Sequence, residues 1–433
     1  MKIVRLDQNT KAAALEKLIG RSASGYSEYE GVVREIIDHV RADGDKAVIE
    51  YEKKFDGCDL TPETLRVSRE EIKEAYKALS MDFIEVMKRA AANIREYHEK
   101  QKRTSWITTE ENGIILGQKI TPIAVSGCYV PGGRAVYPSS VLMNIIPAKV
   151  AGVEKIVMIT PPGPDGKAAP GTIVAADIAG ADEIYKAGGA QAIAALAYGT
   201  QTIPRVDMIT GPGNIFVALA KKACFGVTGI DSVAGPSEIL VIADETADPR
   251  FVAADLLSQA EHDPMASAIL LTTDQDLAEA VSREIDEFLK KLSRREIIEA
   301  SLDHYGYIFV GDTMDDLVDA ANTIASEHLE IVTKDPFEVM TRIRNAGAIF
   351  LGSYSSEPLG DYYAGPNHIL PTNGTARFFS PLGVDNFVKK SSIISYSKQA
   401  LEAVHEDIEL FARSEGLTAH ANSIAVRFEE KKE

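Results

Sequence analysis

Hydrophobic positions in the first hundred residues recur three and four apart with charged residues between them, and this period predicts helices over residues 27–43, 68–79 and 81–104. From Gln118 the pattern changes. Short β-branched runs now alternate with Ala-rich helical ones. They begin with Pro122-Ile-Ala-Val-Ser and the turn Tyr129-Val-Pro-Gly-Gly, then run through Lys155-Ile-Val-Met-Ile, a helix near 172–179, Glu183-Ile-Tyr, a helix near 191–198 and Val206-Asp-Met-Ile-Thr. Strands separated by helices at this spacing imply βαβ crossovers and a parallel sheet covered on both faces.

A second series repeats the rhythm with Ala268-Ile-Leu-Leu-Thr, a helix over 274–292, Tyr307-Ile-Phe-Val, a helix over 314–325, Leu329-Glu-Ile-Val, a further helix and Ala348-Ile-Phe-Leu. The expected fold class is therefore α/β: two Rossmann-like doubly wound units, related as a duplication would relate them, with a helical N-terminal lead-in and a helical C-terminal tail. After Phe379 the strand rhythm stops, and helical patterns over 397–413 and 418–428 are split by Gly416. The domain reading is an N-terminal arm at 1–24, a first α/β domain with the helical lead-in at 25–128 plus 238–380, a second Rossmann-like domain at 129–237 and a helical tail at 381–433. A tail of about 50 residues buries little core of its own. It is expected to pack on something else, such as another subunit.

At 433 residues with 45% hydrophobic content, the chain is long enough for more than one core. Its 64 acidic and 46 basic residues leave a net charge of −18, which repels a phosphate backbone, so nucleic acid is not an expected partner. The opening Met1-Lys-Ile-Val-Arg-Leu-Asp carries charges where a signal peptide needs an apolar stretch, and no run approaches the roughly 18 apolar residues of a membrane span. A cytoplasmic location away from membranes is expected. Cys58, Cys128 and Cys224 are far apart and odd in number, so any metal must be held by nitrogen and oxygen.

Of eight histidines, four sit in polar, loop-adjacent settings: His262, His328, His368 and His420. Gln259 and His262, three apart before Pro264, share one face of a helix end; that spacing suits a metal pair, and equally a histidine meeting the helix dipole. Asp361 and His368 fall in the Gly-Pro-rich loop 360–371, a setting for active-site groups or for a plain surface turn. Glu327-His328 lies where a helix gives way to a strand. A carboxylate beside an imidazole suits successive proton transfers near neutral pH, or His328 merely caps the helix. Glu415 and His420 flank the start of the last helix, where a surface role is the plain alternative. No Gly-x-Gly-x-x-Gly follows either first strand. The turn Thr210-Gly-Pro-Gly-Asn214 offers amides and a helix N-terminus to a phosphate, or is simple punctuation, and Ala234-Gly-Pro-Ser-Glu238 offers Ser237 as a polar contact.

Taken in order, Cys128-Tyr-Val-Pro-Gly-Gly133, Thr210-Gly-Pro-Gly-Asn214, Ala234-Gly-Pro-Ser-Glu238, Ser258-Gln-Ala-Glu-His-Asp263, Ser326-Glu-His-Leu-Glu330, residues 360–372 and residues 415–423 resemble the histidinol dehydrogenase family over nearly the whole chain. The resemblance implies one zinc ion per subunit on Gln259, His262, Asp361 and His420, a donor set of two nitrogens and two oxygens that suits zinc. It implies Glu327 and His328 as general bases. It places Ser237, Gln259, His262, His328, Asp361, His368, Glu415 and His420 around histidinol, and Tyr129, Gln191 and Asn214 against NAD. The implied reaction takes histidinol through a held aldehyde to histidine with two NAD per turnover, in a homodimer whose sites are shared between chains. Two competing readings use the same residues: a metal-dependent hydrolase with Glu327 activating water, and a non-catalytic metabolite sensor.

Overall fold

Six consecutive buried residues in Glu238–Ala243, another six in Ser267–Thr272 and five in His328–Val332 are what the centre of a parallel sheet demands, since both of its faces are covered. The computed structural model describes residues 1–132 and 137–429, with the side chains of residues 15 and 19–27 left out. Gly133, the last residue of the Cys128 motif, lies outside the described residues. In chain order the strands are β1 (Lys2–Arg5), β2 (Trp106–Thr109), β3 (Ile115–Pro122), β4 (Val125–Tyr129), β5 (Lys155–Thr160), β6 (Glu183–Lys186) and β7 (Met208–Thr210). They continue with β8 (Gly229–Ile230), β9 (Glu238–Ala243), β10 (Ser267–Thr272), β11 (Gly306–Val310), β12 (His328–Val332), β13 (Ala348–Leu351) and β14 (Val388–Ser395).

The chain divides into a larger unit, residues 1–101 and 123–387, and a smaller one, residues 102–122 and 388–433. The larger unit holds two parallel sheets, one ordered β1-β11-β10-β9-β12-β13 and the other β6-β5-β4-β7-β8. With β1 set aside, both follow the same third-second-first-fourth-fifth order, as the two repeated rhythms in the sequence require. Each therefore has a point where the winding reverses, between β9 and β12 and between β4 and β7. The α/β expectation with two doubly wound units holds.

Three details of the domain reading differ from the structure. Residues 2–5 of the N-terminal arm form a strand: β1 pairs with β11 in parallel, Lys2 opposite Tyr307 through Arg5 opposite Val310. The lead-in helices, expected with the six-stranded sheet, line the cores of the five-stranded one. There Val33, Ile36, Val40 and Val48 pack with Val157, Ile159 and Ile193, while Val67, Ile84, Met87 and Ile94 pack with Ile145, Ile156 and Met158. The reason is that the crossover helices Pro138–Ala151 and Gly189–Tyr198 are buried along almost all of their length, so each needs a further apolar layer outside it. Last, the tail is not wholly helical. In the smaller unit β14 pairs antiparallel with β3 over eight residues, β3 pairs with β2, and only then come the helices Lys398–Glu402, His405–Ser414 and Thr418–Ala425. The strand β14 is largely exposed, so its hydrophobic pattern carries no signal; its pairing partner makes it a strand. No helix among the described residues is long and apolar enough to cross a membrane.

Candidate active site

Two neighbouring inner strands of the six-stranded sheet, on either side of its reversal point, begin with ionisable residues, Glu238 on β9 and His328 on β12, and buried polar groups must find partners. The helix Met314–Ile324 ends at Ala325, whose φ of 55° is left-handed and therefore strained for a residue with a side chain. Two residues later Glu327 meets Glu238. The Glu238 amide donates to Glu327 Oε2 at 2.9 Å, and the Glu327 amide donates back to Glu238 Oε2 at 3.3 Å. His328 Nδ1 lies 3.1 Å from the Glu238 carbonyl oxygen and 3.4 Å from Gln259 Nε2. A carbonyl only accepts, so the shorter contact puts a proton on Nδ1, and the Gln259 amide nitrogen, itself a donor, then makes no hydrogen bond to it. The other nitrogen, Nε2, is buried without a protein hydrogen-bond partner, 3.9 Å from Asp361 Oδ1.

Asp361 comes from the π-turn Gly360–Ala364, which follows directly on the short helix Glu357–Leu359. His368 Nδ1 donates to the Asp361 carbonyl at 3.0 Å and lies 3.6 Å from Asp361 Oδ1. Its Nε2 meets Ser140 Oγ at 3.0 Å on the helix Pro138–Ala151, which ties the loop to the other sheet's layer. Glu357 accepts from Ser258 Oγ at 3.0 Å, and its amide donates to Glu330 Oε1 at 2.8 Å. One donor atom each from His328, Glu357 and Asp361 lies within 4.8 Å of the others, close enough for a shared cation. Gln259 Oε1, buried beside them, has no protein partner. The helix Pro249–Ala260, started by Asp248 and Pro249, ends before His262, so a turn rather than a helical face brings the pair together: the His262 amide bonds the Gln259 carbonyl at 3.1 Å.

Burial pushes the Glu327 carboxyl up to about 7, with His328 pulling the other way. Burial alone would lower the His328 pKa, but Glu327, Asp361 and Glu357 outweigh it and lift it to about 10. Burial also works against ionisation of Asp361, and the His328 and His368 rings overcome it and hold the carboxyl at about 2. Glu357, buried and facing Asp361, is pushed up to about 8. His262 is open to solvent on one side, while the protein around the rest of its ring lowers its pKa against the pull of Asp361. Burial weighs most on each group; the nearest charges then sort them into proton holders and an anion.

The residues expected at a nucleotide lie at the reversal point of the other sheet. Tyr129 closes β4 and accepts from the Gly189 amide at 3.3 Å, and Gln191 is buried with its amide on Glu52 Oε1 at 2.9 Å. Asn214 caps the helix Ile215–Cys224 through the amides of Phe216 and Val217. The preceding turn is pinned by a buried ion pair: Asp231 accepts the Gly211 amide at 2.7 Å, Lys221 donates to the Gly211 carbonyl at 2.8 Å, and the two charges pair with each other. Gly211 has φ 113°, and a Cβ there would stand 2.0 Å from the Tyr129 carbonyl oxygen, so only glycine lets the turn approach the end of β4. Ser237 stands next to Glu238 at the start of β9, and its carbonyl holds the Ser267 amide at 3.0 Å. Glu415 and His420 are exposed residues of the smaller unit.

The sequence reading assigned no role to Glu238, Glu357 or Ser140. Glu238 closes a quoted motif, and a charged residue heading a wholly apolar strand is a signal for it. Glu357 precedes Asp361 by four residues, one turn away. Ser140 has no local signal, because its partner lies 228 residues further on.

The profile of the histidinol dehydrogenase family matches residues 19–428. A histidinol dehydrogenase of Clostridium acetobutylicum is 56% identical over 413 residues, 95% of each chain, and one of Bacillus subtilis is 57% identical over 404 residues, 93% of this chain and 94% of the other. The crystal structure of histidinol dehydrogenase from Elizabethkingia anophelis superposes with a TM-score of 0.93 at 37% identity, covering 99% of this chain and 98% of that one.

Proposed function

Because the chain belongs to the histidinol dehydrogenase family and is thus an oxidoreductase, we propose that it oxidises L-histidinol through an enzyme-held aldehyde to L-histidine, the last steps of histidine biosynthesis, with NAD as acceptor and zinc as resident metal. The observation that carries this reading is the cluster at the heads of β9 and β12: a carboxyl titrating near neutrality beside an imidazole whose Nε2 has no protein partner, both within reach of an anionic Asp361.

Gln259, His262 and Asp361, with the partner subunit's His420, are the proposed zinc ligands. The buried Gln259 Oε1 and the low-pKa Asp361 carboxylate suit a cation, and the lowered pKa of His262 leaves its ring neutral, as a metal ligand must be. His328 offers a rival donor in the same space, but its Nε2 is wanted for proton transfer. Held by these residues, zinc would supply a fixed point that orients the substrate, and NAD would supply the hydride acceptor for each oxidation. Tyr129, Gln191 and Asn214 are proposed to face NAD, since they gather at the carboxyl end of the reversal point between β4 and β7, where doubly wound sheets bind nucleotides.

His328 takes the alcohol proton on Nε2. The carboxylates around the ring raise its pKa to about 10, so it accepts the alcohol proton only in its neutral form, in which the proton held on Nδ1 by the Glu238 carbonyl leaves the lone pair on Nε2. Glu327, ionised, draws a proton from water to hydrate the aldehyde, and His328 serves again in the second oxidation. Ser237, His368 and Glu415 are proposed to line the substrate pocket. The active unit is proposed to be a homodimer located in the cytoplasm, with Glu415 and His420 completing the partner's site.

A coupled assay tests this reading: NADH formation from histidinol, its loss with a chelator and its return with zinc, followed with elemental analysis. Full activity in demetallated protein would rule out the zinc. No NADH from histidinol would rule out the dehydrogenase.

A further inference from the structure

We infer that Glu238 is the positioning residue for both proposed bases, its main chain and its side chain together deciding where Glu327 points and which nitrogen of His328 can take a proton. This deepens the reading of Glu327 and His328 as bases and rests on it.

The strands β9 and β12 are parallel neighbours with His328 opposite Ile239, so Glu238 falls beside Glu327 just before the ladder begins. A parallel ladder would continue there with slanted amide-to-carbonyl bonds. Instead each of the two residues presents its amide to the other's carboxylate, at 2.9 and 3.3 Å. The exchange ties down Glu327 at its main chain and at its carboxylate. The Glu238 carbonyl, turned out of the exchange, takes His328 Nδ1 at 3.1 Å and leaves Nε2 as the nitrogen with a free lone pair whenever the ring is neutral. Glu238 is 3% exposed and sits outside the proposed zinc ligands and the substrate contacts.

The side chain also has an electrical effect. The groups facing Glu327 are His328, which favours its ionised form, and Glu238 and Asp361, which oppose it. An amide in place of the Glu238 carboxylate keeps an oxygen to accept the Glu327 amide and removes one of the two opposing charges. Geometry and charge can therefore be separated by a single pair of substitutions.

The test uses the full-length enzyme with zinc and compares Glu238→Gln and Glu238→Ala with the wild type on both histidinol and the aldehyde, across pH. Glu238→Ala should lower kcat in both half-reactions by about 10²-fold, the cost of misplacing catalytic groups by about an ångström, with KM little changed. Glu238→Gln should recover most of that loss, and the acid limb of its aldehyde oxidation should move to lower pH. Full kcat in Glu238→Ala overturns the inference. So does a Glu238→Gln enzyme as impaired as the alanine variant, and so does an unmoved acid limb in the glutamine variant, which alone decides the matter if the alanine variant does not fold. Glu327→Gln and His328→Asn serve as references: full activity in both would show that the assignment of the bases had failed, and not the placement of Glu238.

Discussion

Glu327 and His328 are neighbours in sequence with different loads. Only the hydration of the aldehyde needs activated water, so Glu327→Gln should depress aldehyde oxidation far more than alcohol oxidation, while His328→Asn should slow both by about 10²- to 10⁴-fold, the usual contribution of a general base. Single-turnover rates on the two substrates measure this, and equal effects of the Glu327 change on both would sink the division. The pH dependence carries a definite sign. Glu327 acts only when ionised and burial raises its pKa to about 7, so aldehyde oxidation should gain a climb through neutrality that Glu327→Gln removes, while the need for a neutral His328, held at about 10, adds a further climb toward alkaline pH in both half-reactions. The proposed catalytic and zinc residues were nameable from sequence because seven motifs in order resemble those of a known family; taken singly, each kept a plain structural alternative. Glu238, Glu357 and Ser140 went without a role because their work is done by partners 89, 27 and 228 residues away, which no local spacing reveals.

Strands and helices put those side chains in place through close backbone approaches. β13 comes up to β12 with the Gly347 amide on the Ser326 carbonyl at 3.0 Å and the Ala348 amide on the Glu327 carbonyl at 2.9 Å. A Cβ on Gly347 would stand 2.4 Å from the Glu327 carbonyl oxygen. Gly347→Ala should therefore push the Glu327 peptide out of place, costing about 1–3 kcal/mol of stability as overpacked sites do, and kcat should fall with it. Denaturant melts and steady-state rates check this, and an enzyme unchanged in both would show that β12 yields freely. The alternation of strand and helix was legible wherever burial on both sides left unbroken apolar runs, as at β5 and β10. It was illegible at β14, whose exposed residues are strand only because β3 lies alongside, and in the allegiance of the lead-in helices, which depends on how much of the Ala-rich crossover helices remained uncovered.

Taken whole, the chain leaves large apolar side chains open on its smaller unit: Trp106 is 51% exposed, Ile394 73%, Leu410 69% and Phe411 67%. Exposed side chains of this size on one unit fit the proposed exchange of ends in a dimer. Co-expression of a His262→Ala chain with a His420→Ala chain should return up to half of wild-type activity per mixed dimer, because one of its two sites is then intact; purified heterodimers with none would mean that each site is built from a single chain. The pairing of β1 with β11 has a further consequence in time. Lys2 and Tyr307 meet only after some three hundred residues have left the ribosome, so at about 5–20 residues per second the first strand waits roughly 15 to 60 s for its neighbour. Nascent chains arrested short of residue 306 should be clipped by protease near their amino ends while the five-stranded sheet already resists, and chains arrested well beyond residue 310 should lose that sensitivity; for a newborn molecule the beginning of the sequence is among the last parts to find shelter.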